Sequence, residues 1–426
     1  MLEALANAWR IPELRRKLLF TGLMLALYRL GSYIPAPGVN PQVIASGGLG
    51  GGGNAITNLF GIFTGGAFNT LSIFALGIMP YITAAIVMQL LTVAVPRLQA
   101  LAKEGEVGQQ KITQYTRYFT LALALIQSAA FALLFLPSQF GSSFAPDALH
   151  KLLIIVSMTT GVMLIMWMGE LITQHGLGNG ISLIITAAIL SRAPLGFQAL
   201  RENASAITWV VLAVIAVLIV AAIVFVNEGQ RRIPITYAKR QVGRRISQGG
   251  TTYLPLKVNM AGVIPILFAS SLLLVPITIA QFAGGNPNTT LGRLAQFFAP
   301  GSGPYLALYA VLVVLFTYFY TAVQFNPVEH ADNLKKTGGY IPGIRPGEPT
   351  ARYLNNVLTR ITLFGAIFLA AIAVLPYIIT GALNLPNTIY IGGTSILIVV
   401  GVSLDTVRQL EGQLMMRNYE SFLRKR

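Results

Sequence analysis

Long apolar runs alternate with short polar connections along most of the chain. A helix needs roughly 20 apolar residues to cross a bilayer. The pattern predicts ten spans, near residues 18–34, 71–95, 116–136, 152–170, 181–195, 207–226, 260–282, 304–324, 361–380 and 389–407. An even number of spans places both termini on one side of the membrane, and the predicted fold class is an all-α polytopic membrane protein.

The composition agrees with this prediction. Charged residues make up 10% of the chain and hydrophobic residues 54%, whereas about 25% of an ordinary soluble domain is charged. The absence of cysteine excludes disulfides and thiol catalysis. The first 17 residues lack a small-residue cleavage site after a short apolar core. They predict an amphipathic surface segment and no removable signal peptide.

The formal net charge of +16 is unevenly divided between the two sides of the predicted membrane. Of the 30 Lys and Arg residues, 25 fall in the terminal segments and in the connections on the same side as the termini. The remaining five are Arg29, Lys151, Arg192, Arg201 and Arg293. Because cytoplasmic segments carry an excess of Lys and Arg, both termini are predicted to lie in the cytoplasm. Contact with anionic lipid would also account for any single basic residue.

Two short motifs recur and divide the chain into two halves of five spans. "LGIMPYI" at 76–82 and "AGVIPIL" at 261–267 both place a glycine three residues before a proline. "GISLII" at 180–185 and "GTSILI" at 393–398 both open short spans. An odd number of spans in each half predicts inverted halves, and such breaks mark the working site of many membrane proteins.

The matched positions in these four spans are aliphatic. They are Ile78, Ile82, Ile181, Ile185, Val263, Leu267 and Ile398. Such a lining does not suit an ion path, which needs carbonyls or charges, but it suits a hydrophobic constriction that gates by dewetting. Ordinary core packing is the alternative interpretation of the same residues.

Motifs for catalysis are absent from the sequence. It holds no P-loop, and "GLGNG" at 176–180 joins two spans and predicts a tight turn. His150, His175 and His330 are scattered without partners at ligand spacing. We therefore expect no catalytic residue, no metal site, no cofactor and no enzymatic activity.

Two kinds of membrane protein are alternatives to a channel with a hydrophobic constriction. A secondary transporter with inverted repeats would bury carboxylates within its spans, but the acidic residues fall at span ends and in connections, with Glu170 and Asp405 near helix ends. A lipid-handling protein or insertase would also open to the bilayer, but it would not need the short apolar segment at about 55–66 that precedes the second span. Arg29 is the one early basic residue inside a span, and it is predicted to snorkel to the outer interface.

Six segments of the chain resemble the bacterial SecY family, the channel subunit of the Sec protein translocon, in collinear order. They are "FALGIMPYITAAIVMQLLTV", "KEGEVGQQKITQYTRY", "NEGQRRIPITYAKRQVGRR", "LPLKVNMAGVIPILFASS", "GIRPGEPT" and "GGTSILIVV". The resemblance implies a clamshell of two five-helix halves in the cytoplasmic membrane, which passes unfolded secretory chains and releases membrane segments laterally. It also implies SecE and SecG subunits, the SecA motor, the ribosome, signal sequences and nascent chains as partners.

The resemblance assigns roles to particular positions. The pore ring falls on Ile78, Ile82, Ile181, Ile185, Leu267 and Ile398. The plug corresponds to a half-helix at about 55–66, with Asn58, Leu59, Phe60, Gly61, Ile62, Phe63, Thr64 and Gly65 at its centre. Its mixed polar and apolar residues suit a short helix with one face in water, and Gly65 and Gly66 would let it hinge. Upstream, "SGGLGGGGN" predicts a flexible tether.

The resemblance also implies a lateral gate and two docking loops. Polar candidates at the gate, between spans 2 and 3 and spans 7 and 8, are Thr92, Gln127 and Asn259. Candidates for docking the motor or ribosomal RNA are Arg231, Arg232, Lys239, Arg240, Arg244, Arg245 and Arg345. The predicted divisions are an N-terminal segment 1–17, halves 18–195 and 196–407, cytoplasmic loops 227–259 and 325–360, and a cytoplasmic tail 408–426.

Overall fold

The computed structural model describes most of the chain. The described residues are 9, 11–39, 61, 64–137, 147–203, 206–237, 240–242, 245–247, 250–282, 301–382 and 393–423. The helices are α1 (Pro12–Gly31), α2 (Met79–Ala94), α3 (Pro96–Lys103), α4 (Glu106–Ala130), α5 (Ala148–His175), α6 (Gly180–Asn203), α7 (Ala206–Glu228), α8 (Ile264–Phe282), α9 (Gly303–Gln324), α10 (Pro327–Thr337), α11 (Glu348–Ala382) and α12 (Gly393–Leu423). A π-helix, Phe131–Phe135, continues α4.

Each of the ten predicted spans overlaps one of these helices, but not all of these helices are long and apolar enough to cross a membrane. Five described helices are long and apolar enough by themselves: Glu106–Phe135, Ala148–His175, Ile207–Glu228, Gly303–Thr337 and Glu348–Ile379. The bent pair Met79–Ala94 and Pro96–Lys103 makes a sixth if it is one span. Gly180–Pro194 and Ile264–Leu273 are shorter apolar helices. The chain is thus a multi-pass helical protein, while the ten-span clamshell remains a prediction.

The predicted start of the second span is wrong by eight residues. Residues 71–78 lie in turns and the helix begins only at Met79. Pro80 is then the second helical residue, a position where its missing N–H costs no helical hydrogen bond. Gly77 has φ +57°, a conformation that favours glycine. The apolar run is therefore a turn followed by a helix.

The connection after α7 is not an irregular loop, and the prediction of an all-α fold needs this correction. It forms β1 (Gln230–Tyr237) and β4 (Thr251–Lys257), which pair antiparallel, with Ile233 opposite Leu254. A short strand β5 (Gly339–Tyr340) adds to the other edge of β1. In the part of the chain between β1 and β4, β2 (Arg240–Val242) pairs with β3 (Arg245–Ser247).

Most of the apolar helices pack into one large hydrophobic cluster. It contains buried residues from α1, α2, α5, α6, α7, α8, α9, α11 and α12. A second cluster joins α4 and the π-helix to α5, and a third packs the β1–β4 sheet against the start of α11. The large cluster is where the ends of the short apolar helices converge.

Candidate functional site

The six predicted ring residues lie in this large cluster. Five of them are at least 93% buried: Ile78, Ile82, Ile185, Leu267 and Ile398. Ile181 is partly buried and packs against the same cluster. They come from the starts of α2, α6, α8 and α12, and α2 contacts α8 while α6 contacts α12. The fold thus brings together residues that are more than 300 positions apart in the chain.

The two glycine–proline motifs share a local geometry that their sequences suggested. Gly77 and Gly262 have φ +57° and +63°. In each case the helix begins two residues later and Pro80 or Pro265 is its second residue. Each motif therefore ends a turn and starts a helix inside the apolar cluster, so that Ile78 and Val263 lie at the breaks.

A polar cavity of about 400 Å³ adjoins the aliphatic cluster. Its lining includes Asn179 at the start of α6, Asn227 at the end of α7, and Asp405 and Arg408 on α12. Val263 also lines it, at the break before α8. The cavity and the aliphatic cluster are therefore adjacent, and Val263 belongs to both. Polar side chains line the cavity, and buried apolar side chains form the cluster.

Asn259 links two parts of this cavity. Its Nδ2 donates to Asn227 Oδ1 at 2.9 Å and to the Gly262 carbonyl at 3.2 Å. Its Oδ1 has no hydrogen-bond partner among the described residues, although the residue is only 7% exposed. These bonds hold the segment before α8 against the end of α7.

The other two polar gate candidates make no bond to a facing helix within the described part of the chain. The Thr92 hydroxyl donates to the Met88 carbonyl at 2.7 Å, inside its own helix. Gln127 on α4 is partly buried. The predicted gate helices do meet, because α8 contacts both α2 and the π-helix. The gate role of Thr92, Gln127 and Asn259 stays a prediction.

Only three of the predicted plug residues, Gly61, Thr64 and Gly65, belong to the described residues; 58–60 and 62–63 lie outside them. Two side chains bond the Gly65 carbonyl: Arg29 Nη1 donates at 2.7 Å and Ser191 Oγ at 3.3 Å. Tyr28 Oη donates to the Thr64 carbonyl at 3.4 Å. This end of the segment is thus bound to α1 and α6.

Arg29 has specific partners that the sequence did not reveal. Its guanidinium donates to the Gly65 carbonyl and, at 2.6 Å, to the Tyr33 hydroxyl, and its place at the outer interface stays a prediction. Gly65 has φ +64°, and a Cβ there would lie 2.9 Å from Ser191 Oγ. The close approach of α6 therefore requires glycine at this position.

The docking candidates are only partly described. Arg231 and Arg232 are exposed on β1. Arg240 and Arg245 lie on β2 and β3, where only the backbone is described, and Lys239 and Arg244 lie outside the described residues. Arg345 is exposed on the turn between β5 and α11, and its carbonyl accepts from Thr350 Oγ1 at 2.8 Å. Gly343 and Gly347 flank it with φ +81° and +100°.

Two ion-pair groups were missed from the sequence. Arg117 on α4 pairs with Glu170 on α5 through two contacts of 2.7 and 2.8 Å. Arg408 pairs with Glu228 at 2.8 Å and lies 3.8 Å from Asp405. Asp405 is near the middle of α12, which corrects its predicted place at a helix end. The tight turn predicted at 176–180 is confirmed, because α5 ends at His175 and α6 begins at Gly180.

The described residues contain no group of three or more His, Cys, Asp or Glu side chains that could hold a metal ion. Their arrangement defines a multi-pass helical membrane protein whose interrupted helices meet at an aliphatic cluster. The family model described as SecY matches residues 72–407. The chain belongs to the SecY family.

Individual relatives agree with this assignment. The chain is 47% identical to the protein translocase subunit SecY of Streptomyces galbus over 443 residues, which is 100% of both chains. It shares its fold with a solved SecY structure that concerns a plug domain, with a TM-score of 0.63 at 19% identity and 95% coverage of both chains. The Sec61 channel of a canine ribosome complex gives a TM-score of 0.59 at 17% identity, again with 95% of each chain covered.

Proposed function

We propose that this protein is the channel subunit of a protein translocon, which passes unfolded secretory chains across the cytoplasmic membrane and releases membrane segments into the bilayer. The observation that carries the proposal is that six aliphatic side chains, at or near the starts of α2, α6, α8 and α12, belong to one buried cluster or pack against it. Branched aliphatic side chains offer no hydrogen bonds to a passing chain, so they do not select its sequence. In the closed state a dry collar of this kind opposes ions.

The proposed path runs from the polar cavity to the ring. A cavity lined by amide and hydroxyl side chains, by Lys257 and by the Asp405–Arg408 pair can hold water and an extended polypeptide without binding one sequence tightly. With both termini in the cytoplasm, this cavity is the cytoplasmic entrance. The basic residues of the β1–β4 connection and Arg345 then face the cytoplasm as well.

The plug is proposed to close the path from the other side. The bonds from Arg29 and Ser191 to the Gly65 carbonyl support this role, because they attach the end of the segment to α1 and to α6, and α6 bears two of the ring residues. One of the solved structures that share this fold is described as a plug domain that stabilises the closed state of its channel. Neutral hydrogen bonds contribute about 0.5–1.5 kcal/mol each, and bonds to a charged group about 1.5–3. A few of them can hold the segment and still release it.

The proposed partners follow from the same assignment. They are SecE-like and SecG-like membrane subunits, a SecA-like motor, the ribosome, signal sequences and membrane lipids. A ribosome-bound Sec61 channel is among the structures that share this fold. Exposed arginines on β1 suit contact with RNA phosphates or with an acidic protein surface.

A lateral opening between α2 and α8 is the part of the proposal that a crosslink tests. Ile86 on α2 is 5% exposed and belongs to the same cluster as Leu267 and Leu273 of α8. We expect a cysteine at Ile86, paired with a cysteine scanned across 266–273, to form a disulfide at one or two positions. Oxidation should then block export, and reduction should restore it.

The control for this experiment is each single cysteine under the same oxidation, which should export normally. Full export by a protein whose α2 and α8 are quantitatively crosslinked would contradict the lateral gate. The expected loss follows from geometry, since a disulfide holds the two Cα atoms within about 7 Å.

A further inference from the structure

A groove of about 520 Å³ lies where the β1–β4 sheet meets α11. It is separate from the aliphatic cluster and from the polar cavity. Its lining residues are Arg231, Val258, Tyr353, Asn356, Val357, Arg360, Ile361 and Phe364. The residues from α11 recur every three or four positions, so they form one face of that helix over about 16 Å.

The groove is built by close backbone packing. A Cβ at Gly365 would lie 2.5 Å from the Val258 carbonyl oxygen. The Val258 N–H in turn donates to the Gly229 carbonyl at 2.9 Å. Glycine in α11 therefore lets the end of the β-hairpin approach the helix directly, and this fixes the position of Arg231 relative to Arg360.

Two arginines make part of the groove basic, and on α11 Arg360 lies about one turn before the Phe364 end of the groove. Arg231 and Arg360 are both exposed, and neither forms an ion pair with another described residue. The lining contains no acidic residue. Guanidinium groups bind phosphate oxygens through paired N–H donors, whereas nothing in the groove offers a carboxylate to a positively charged ammonium group.

The end of the groove at Phe364 is apolar and faces outward. Phe364 is 62% exposed, and its neighbours Leu363 and Ile367 are 48% and 57% exposed. The apolar span of this helix is predicted to begin at residue 361, directly after Arg360. The arginines therefore mark the interface and the apolar end lies in the hydrocarbon region, the same order of polar and apolar parts that a phospholipid has.

We propose that this groove binds an anionic phospholipid, with the phosphate between Arg231 and Arg360 and the start of an acyl chain along Ile361 and Phe364. The volume is within the range of small-ligand sites and holds a headgroup with the first part of one chain. The absence of a lining carboxylate favours a lipid with net negative charge over a zwitterionic one. The proposed membrane orientation assigns this lipid to the cytoplasmic leaflet, where anionic lipids attract basic residues.

Native mass spectrometry of the full-length protein, purified with its membrane subunits and then delipidated, tests the proposal. Phosphatidylglycerol and phosphatidylcholine are added in turn and the retained lipid is counted. We expect the double variant Arg231→Gln, Arg360→Gln to bind phosphatidylglycerol about tenfold more weakly, with little change for phosphatidylcholine. Arg352→Gln is the matched control, because Arg352 is an exposed arginine on the same helix that pairs with Glu348 at 2.7 Å.

Three results would overturn the proposal. Equal retention of phosphatidylglycerol by the parent and by the folded double variant would show that the groove does not bind it. Displacement of the lipid by millimolar inorganic phosphate would show that a free anion is the preferred ligand. Loss of a membrane subunit from the double variant, with unchanged lipid binding, would show that a helix of that partner fills the groove. None of these readouts depends on translocation, so they are separate from the test of the channel itself.

Discussion

Charge reversal at Arg345 should abolish motor-driven translocation while the protein accumulates normally with its membrane subunits. Arg345 is exposed on a turn whose shape is set by the Thr350 hydroxyl and by two glycines with positive φ, not by the guanidinium. No described residue forms an ion pair with it, and an exposed pair would contribute only about 0.2–1 kcal/mol in any case. Folding should therefore tolerate Arg345→Glu.

The effect on docking should be much larger. A glutamate at this position would set like charges against the acidic motor surface that is proposed to dock here, which costs several kcal/mol of association. We expect at least about a tenfold loss of translocation, since tenfold corresponds to about 1.4 kcal/mol. The measurement is export into inverted membrane vesicles driven by the motor and ATP.

Lys335→Glu is the matched control for Arg345→Glu. Lys335 is an exposed cation in the last turn of α10, close to Arg345 in the chain. Its reversal should cost at most about 1 kcal/mol through the helix dipole and leave export nearly unchanged. Equal loss in the two variants would assign the effect to general charge balance, and loss of the protein itself would assign Arg345 to stability.

Ile398→Asn should open the closed channel to ions and improve export of chains with weakened signal sequences. Ile398 is 1% exposed within the aliphatic cluster. An unsatisfied amide buried there costs about 1–3 kcal/mol, and a wetted ring removes that penalty. The substitution therefore shifts the equilibrium from the dry closed state to the wet open state. The measurement is ion conductance of the reconstituted protein without substrate.

Ile154→Asn separates a ring effect from ordinary core damage. Ile154 is 0% exposed, but it belongs to the cluster between α4 and α5. We expect it to lower stability without raising conductance. If Ile398→Asn lowers export of weak signal sequences and leaves conductance unchanged, the aliphatic cluster around Ile398 is an ordinary hydrophobic core.

Removal of the plug residues 58–65 should raise conductance in the same assay and leave export largely intact.

The sequence was sufficient to predict the elements that depend on local composition. Each apolar run that predicted a span overlaps a helix, and the glycine–proline motifs located the breaks before α2 and α8, because proline and positive-φ glycine act on their own backbone. The eight-residue error at 71–78 arose because an apolar run has the same composition in a turn and in a helix.

Interactions between distant segments could not be predicted in this way. Arg117 and Glu170 are 53 positions apart, and nothing in the sequence pairs them. The partner of Arg29 is a backbone carbonyl, which has no signature in the sequence. The strand β1 did have a signal, since Ile233 and Ile235 recur at the two-residue spacing of a strand, and both are buried. Pro234 between them argues against a central strand and hid that signal.

Site-specific photocrosslinking to a stalled secretory chain tests the central claim most directly. A photoreactive residue at Ile78 or Ile398 should crosslink to the chain held in the channel. The same residue at Phe225, which is 78% exposed on α7, should crosslink to lipid or to a membrane subunit instead. Crosslinks from both ring positions to the stalled chain are the result that we predict. Their absence, in a protein that is exporting the same chain, would contradict a path through the aliphatic cluster.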